Sequence, residues 1–461
     1  MKRLLGFIRL RLKNIVFSSR MFLLCEFSTE IVFFFVRVLN TNRGWFNFLS
    51  LVKLQLRIGY QTGIFAYEND EKIVSSGLRK LKEIEKKVIY AISHIKMGVA
   101  GPFEEEISLD TLFLTSFIYG TGGHTRLLQT YLSNMKNSKL FVTGRYSGRT
   151  YDSKLQSDAE SFFPPGRLLL KPHRGRSFKS EVLGICRELV SLAPKNVVLF
   201  NHPADLGLLT ASMLYAGKRR ELPVIYYHHA DDYMPFLGSV FSCHIDLDTN
   251  QDKKCSSVPC RELIRISTRN RVQQPEAAGF SKPSAFTVFS FAPLSKISGG
   301  SGKENDYAFL VCNLVNEGIR AVIVTGNGEG ASLKNILEKN RCNMNLVDID
   351  EDCTDISKYY GRVHAYLDTF PIGGGMSVVD GLSMGLPVMI LDGENYQIFK
   401  DPVLSRFTFP SAGDILKYSI KMAMDGRFYT AERSIAHEIY RNYYSERIMV
   451  EKLSGVFEKK W

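Results

Sequence analysis

The stretch that most constrains this chain runs from 364 to 395, HAYLDTFPIGGGMSVVDGLSMGLPVMILDGEN. A short apolar run, Ala365-Tyr366-Leu367, reads as a strand that stops at Asp368. Pro371 and three consecutive glycines, Gly373, Gly374 and Gly375, then impose a loop. Glycine accepts positive φ and lets a ligand approach the backbone closely. The pattern over 376–384 reads as an amphipathic helix, closed by Gly385 and Pro387. A second apolar run over 388–391 stops at Asp392. Strand, glycine loop, helix and strand make a unit of an open α/β sheet, whose ligands sit beyond the carboxyl ends of the strands. Free amides and the dipole at the helix start suit a phosphate. A glycine turn that binds nothing is the other reading of these residues alone.

Similar units fill most of the chain. Apolar runs fall at 109–117, 140–143, 197–200, 224–227 and 244–247, and again at 286–291, 321–324, 346–347, 365–367 and 388–391. Polar or helical patterns separate them, the spacing of parallel α/β domains. Residues 250–284 are rich in Lys, Arg, Ser, Gln and Pro and read as a linker. The expected fold class is α/β, with two facing Rossmann-like domains and a helical amino-terminal extension. The expected limits are 1–106 for the extension, 107–270 and 271–429 for the two domains, and 430–461 for a carboxyl-terminal helix.

The net charge of +12 is uneven. Residues 1–60 hold ten Lys/Arg against Glu26 and Glu30, a balance of +8. The remainder is close to neutral for its length, which argues against a nucleic-acid-binding core. The apolar run over 21–39 is broken by two glutamates and Arg37, a poor match to a membrane span. It also lies too far from Met1 for a signal peptide. Two readings of 1–60 stand. It lies on an anionic membrane surface, with Lys/Arg at the headgroups, or it caps the catalytic domains. Eight scattered cysteines fit reduced thiols in a cytosol better than a disulfide framework.

The 364–395 stretch resembles the GT-B glycosyltransferases that include the O-GlcNAc transferases and bacterial protein-glycosylating enzymes. That group carries a D-[TS]-x-P-like loop, a turn of small residues, and an aspartate twelve residues after the first; here the two are Asp368 and Asp380. The resemblance implies that Gly374, Gly375, Met376 and Ser377 seat the diphosphate of a UDP-sugar and that Asp380 contacts its ribose. The O-GlcNAc transferases place His-Thr-Thr where this chain has Gly-Met-Ser. Phe291-Ala-Pro-Leu-Ser-Lys296-Ile297 resembles the group's F-x-x-x-x-K-I segment, which makes Lys296 a diphosphate ligand. Gly326, in Gly326-Asn-Gly-Glu-Gly330, borders the nucleotide.

In the first half, Tyr119-Gly-Thr-Gly-Gly-His124-Thr-Arg126 places His124 and Arg126 at the mouth of a cleft. Asn201-His202-Pro-Ala-Asp205 and Tyr227-His228-His229-Ala-Asp231-Asp232 end two further strands. The latter resembles an H-A-D-H-x-x-x-x-L-G loop of some bacterial sugar transferases, with Asp232 at the second histidine. His124 is the first candidate for the base that deprotonates the acceptor, followed by His228 and His229. Arg126, His202 and Asp231 are acceptor-side candidates.

No metal is expected. The His/Asp loops lack an i, i+4 pair on a helix, and Cys243, His244, Cys255 and Cys260 are irregularly spaced for zinc. No cofactor is expected beyond the nucleotide-sugar co-substrate. The implied activity is transfer from a UDP-sugar to a cell-surface glycan, a lipid-linked intermediate or a protein. The implied location is cytoplasmic, at the inner membrane face if 1–60 binds it. A non-catalytic scaffold and a nucleotide-sugar epimerase of the same architecture are the rivals, since fold alone does not establish function.

Overall fold

The computed structural model describes residues 26, 29–34, 37, 41–61, 71–95, 109–118, 123–143, 163–170, 177–201, 205–217, 222–227, 241–246, 260–267, 285–297, 304–351, 359, 361–392 and 401–459. Among the described elements, the helices α1 (Asn42–Gln61) and α2 (Glu71–Ser93) precede the first sheet. A seven-stranded parallel sheet follows. Its members are β1 (Leu109–Thr115), β2 (Ser138–Val142), β3 (Leu168–Leu170), β4 (Pro194–Leu199), β5 (Val224–Tyr227), β6 (Cys243–Asp246) and β7 (Arg261–Leu263). Its helices are α3 (Gly123–Asn134), α4 (Phe178–Leu192) and α5 (Leu206–Ala216).

The spatial order is β3-β2-β1-β4-β5-β6-β7. In β1, Phe113 stands opposite Leu140 on one side and Val198 on the other. Helices cover both faces of such a sheet, so its central strands are apolar runs rather than alternating ones. The burial of β1 shows this, with Asp110 its one exposed residue.

A second parallel sheet has the order β10-β9-β8-β11-β12-β13. It contains β8 (Thr287–Phe291), β9 (Arg320–Val324), β10 (Val347–Asp350), β11 (Ala365–Leu367), β12 (Val388–Leu391) and β13 (Thr408–Phe409). Its helices are the turn α6 (Leu294–Ile297), α7 (Glu304–Asn316), α8 (Gly330–Lys339), α9 (Met376–Ser383) and α10 (Ala412–Met424). The chain ends in α11 (Gly426–Ile439), a π-turn over Tyr440–Tyr444, and α12 (Glu446–Phe457).

Three strands differ from the sequence reading: β3, β7 and β13 are two or three residues long and only half-buried; β7 and β13 carry no apolar run, and the three leucines of β3 make one too short to stand out. β7 lies inside the segment expected to be linker. It is an edge strand whose Arg261 pairs with Asp246 of β6 at 2.7 Å, the kind of charge that edges carry. The expected limit between 429 and 430 falls within α11, which starts at the Asp425 cap.

The carboxyl-terminal helices return to the first sheet. Asn134 at the end of α3 donates to Glu446 at 2.9 Å, and Lys459 pairs with Glu262. Arg265, just past β7, donates to Asp401 of the second half (2.9 Å from Nη2), and Tyr444 donates to the same carboxylate at 2.7 Å. Met449, Leu453 and Val456 of α12 share an apolar cluster with Leu128 and Leu132 of α3.

Of the two readings of the amino-terminal segment, the stretch over 42–61 is a cap. Trp45, Phe48, Leu49, Val52 and Leu56 of α1 are buried in one cluster with Leu112 of β1, Val182 of α4 and Leu208 of α5. Among the described residues no helix is long and apolar enough to cross a membrane. Lys53 reaches inward as well: its ammonium lies 2.9 and 3.2 Å from the two oxygens of Glu181, which is 1% exposed. The Asp205 carboxyl is close by. Burial and Glu181 push its pKa up, and Lys53 opposes them.

Removing one member of a buried pair strands the other's charge, which costs about 3–5 kcal/mol. Lys53→Met is therefore expected to lower unfolding stability in urea by about that amount. The double variant Lys53→Met/Glu181→Leu should recover most of it, because both charges are then gone.

Candidate functional site

Strands are added in one direction from β8 through β9 to β10, then on the other side from β11 to β13. Loops leaving β8 and β11 therefore diverge and leave a crevice at the carboxyl ends, the place where open α/β sheets bind ligands. Lys296 follows β8, and Asp368 closes β11. In the first sheet the same reversal lies between β1 and β4.

Asp368 is 4% exposed. Its Oδ1 accepts the Gly374 amide at 2.7 Å, and the Tyr366 hydroxyl donates to the same oxygen at 3.4 Å. The packing leaves no space for a side chain at 374. A Cβ there would stand 2.2 Å from Ser377 Oγ, 2.5 Å from Asp368 Oδ1 and 2.8 Å from Tyr366 Oη. Gly375 has φ of 53°, in the region that favours glycine, and caps α9. The amide and hydroxyl of Ser377 both donate to the Gly374 carbonyl, at 3.2 and 2.9 Å. Among the described residues, the amides of Gly375 and Met376 are the ones not tied into this turn.

Lys296 is partly buried, which depresses its pKa; the Asp368 carboxylate works against that. Burial pushes the Asp368 pKa up to about 6, against the pull of Lys296 and of the Gly374 and Thr369 amides. A third element fixes the lysine's loop. Glu329 Oε2 accepts the Leu294 amide at 2.7 Å, the Thr325 hydroxyl at 2.9 Å and the Gly326 amide at 3.0 Å. These bonds hold the Glu329 carboxyl below the usual carboxylate range. They also tie the turn after β8 to the turn after β9. Glu329 escapes the sequence reading because its partner Leu294 is distant in the chain. The one local signal is an acidic residue inside a glycine-rich turn.

From the first half, α3 brings His124 and Arg126. Nε2 of His124 lies 3.2 Å from the Thr115 hydroxyl. That hydroxyl's own hydrogen is directed to the Phe117 and Phe200 carbonyls, at 3.1 and 3.0 Å. Nε2–H then donates to Thr115, and Nδ1 is the ring's basic nitrogen. Arg126 Nη1 donates to Asp380 Oδ2 at 2.9 Å, so an expected acceptor-side residue and the expected ribose contact meet across the two halves. His202, His228, His229 and Asp231 lie outside the described residues.

Among the described residues, no three His, Cys, Asp or Glu side chains gather as a metal ligand set. The sulfurs of Cys243 and Cys260 are 3.0 Å apart, while the buried His244 ring sits against Tyr226 and Phe241. Adjacent strand residues face opposite sides, which separates Cys243 from His244 as ligands of one ion. Cys255 lies outside the described residues.

The chain matches no protein-family model, and no curated protein matches it in sequence. Solved structures do resemble it. A glycosyltransferase from Rickettsia africae superimposes with a TM-score of 0.55 at 12% identity, over 76% of this chain and 98% of that one. HepE of Anabaena, in complex with UDP, gives 0.55 at 13% identity over 76% and 99%. The lipopolysaccharide outer core galactosyltransferase WaaB gives 0.50 at 11% identity over 75% and 98%. This chain has the GT-B fold. In GT-B terms, the β8/β11 and β1/β4 crevices belong to two facing domains, and the Arg126–Asp380 pair spans the cleft between them.

The Asp368 environment makes stability depend on pH. Its folded pKa lies above the ordinary 3.8, so folding favours the protonated carboxyl. That contribution is fully present below about pH 4 and is lost as pH rises through about 6. Relative to Asp368→Asn, whose amide does not titrate, the parent should lose on the order of 3 kcal/mol between about pH 4 and pH 7. Urea unfolding of both proteins across that range measures the difference; parallel profiles would rule out a raised Asp368 pKa.

Proposed function

We propose that this protein is a glycosyltransferase that moves a sugar from a UDP-sugar to an acceptor. The observation that carries the reading is the convergence of Lys296, the Gly374-Gly375-Met376 turn and Asp380 at the switch point of the second sheet. Lys296 and the Gly375 and Met376 amides would take the diphosphate, with Gly326 at the nucleotide's border, Ser377 shaping the turn and Asp380 at the ribose. A fixed cation and fixed amides stabilise charge that develops on the departing UDP, because they need no reorganisation as the bond breaks. Asp368 holds Lys296 and the Gly374 amide in place for that task.

The first half presents the acceptor. His124 is the first-choice base, with Thr115 against Nε2 of its ring. Nδ1 is shut off from solvent here, so the ring must be uncovered before Nδ1 can take the hydroxyl proton as the sugar moves. His228 or His229 is the alternative base, with His202 and Asp231 on the acceptor side. The reaction is read as independent of a metal ion, since Lys296 and the amides supply the charge that a cation would. A cell-surface glycan or a lipid-linked precursor is the preferred acceptor. This choice draws on the role of WaaB as a lipopolysaccharide outer core galactosyltransferase and on the basic residues of 1–41. A scaffold that keeps the fold would bind UDP without transferring, and an epimerase would interconvert UDP-sugars without an acceptor.

Loss of a charge-assisted contact costs about 1.5–3 kcal/mol, so Lys296→Ala should raise the UDP dissociation constant about 10- to 100-fold. His124→Asn should leave UDP binding close to the parent value and lower sugar transfer about 10²- to 10⁴-fold. Unchanged UDP affinity in Lys296→Ala would place the nucleotide elsewhere. In a separate assay over a panel of UDP-sugars, transfer should persist in excess chelator. Activity lost in chelator and restored by manganese or zinc would return the His/Asp loops to consideration as ligands.

A further inference from the structure

The Arg126–Asp380 pair joins residues 254 positions apart. Each lies on the helix that follows the strand beside its sheet's switch point, Arg126 in the first turn of α3 and Asp380 midway along α9. The contact therefore sits where the two crevices face each other. Its two ends differ in surroundings: the Asp380 side chain is 3% exposed and that of Arg126 is 39% exposed. A carboxylate so far from water needs a counter-charge to stay ionised. Among the described residues, Arg126 is the cation seen paired with it. His124 is two residues before Arg126, so whatever fixes Arg126 against α9 also fixes the imidazole relative to the Gly374 turn.

We propose that Arg126 is a positioning residue of the nucleotide-sugar site, whose ion pair with Asp380 holds the two halves closed and keeps Asp380 aimed for the ribose. This rests on the assignment of Asp380 to the ribose under the function proposed above. Arg126 does no chemistry itself and acts through its partner. With the pair intact, a nucleotide enters a cleft whose two walls already stand at the right separation. With the pair broken, the halves separate, and Asp380 no longer stands at a fixed place for the ribose. A carboxylate has two oxygens with about four acceptor sites, so the Arg126 bond to Oδ2 leaves acceptor capacity for a ribose hydroxyl to donate to the same carboxylate.

The test uses the full chain and Arg126→Met, which keeps the aliphatic stem, with Arg126→Lys as the conservative variant. Small-angle scattering of the ligand-free proteins should show a larger radius of gyration for Arg126→Met than for the parent, and an intermediate one for Arg126→Lys. Far-UV dichroism that matches the parent separates opening from unfolding. The UDP dissociation constant should rise about 10-fold or more in Arg126→Met, with Arg126→Lys recovering some of the loss. In an Asp380→Asn background, Arg126→Met should have no further effect, which a double-mutant cycle reads as coupling between the two. Identical scattering and identical UDP affinity in parent and Arg126→Met would overturn the proposal, and so would additive effects in the cycle. If the parent itself does not bind UDP, the ribose assignment falls; the ligand-free scattering then decides closure alone.

Discussion

One hydrogen bond, from the Gly374 amide to the buried carboxyl of Asp368, sets the geometry of the second domain's crevice. It ties the end of β11 to the start of α9 across six residues and forces the intervening chain into a tight loop. Gly374 can hold no side chain because that carboxyl, Tyr366 and Ser377 crowd its α-carbon. The same carboxyl faces Lys296 and opposes the loss of its proton on burial. In the turn after the neighbouring strand β9, Glu329 acts in the same way, gathering three donors on a single oxygen. Two carboxylates at strand ends thus hold backbone rather than ligand. Their work is to present amides and an ammonium in fixed places, as an anion site requires.

The amino-terminal extension belongs to the first domain's packing. The aromatic and aliphatic side chains of α1 lie against β1, α4 and α5. One of its basic residues, Lys53, is directed into the core toward Glu181. The apolar face of α1 is covered, and Val32 and Phe33 pack into the same cluster, so these residues present no apolar face outward. A surplus of positive charge in a segment tells little about a surface until the inward-facing charges are known.

Sequence alone revealed the features of the site that are written locally. Asp368, Pro371 and the glycine run mark a strand end and a turn within ten residues, and Lys296 follows the strand that pairs beside it. The parallel sheets were legible because their central strands are apolar runs flanked by turns. The features not legible depend on distance or on brevity. The pairing of Arg126 with Asp380 and the hold of Glu329 on Leu294 exist only once the chain has folded. β7 and β13 leave no apolar pattern, and the Leu168–Leu170 run of β3 is too short to separate from chance. His202, His228, His229 and Asp231 lie outside the described residues.

The return of α12 to α3 decides where this protein can be cut and rejoined. Polar residues between 268 and 284 look like a natural seam for exchanging one domain with that of another GT-B protein. A chimera joined there would leave Met449, Leu453 and Val456 searching for a surface that the new partner does not supply. It would also separate Arg265 from Asp401 and Tyr444. The interchangeable module is therefore discontinuous. The last helix travels with the first domain, and a second junction is needed before Tyr444.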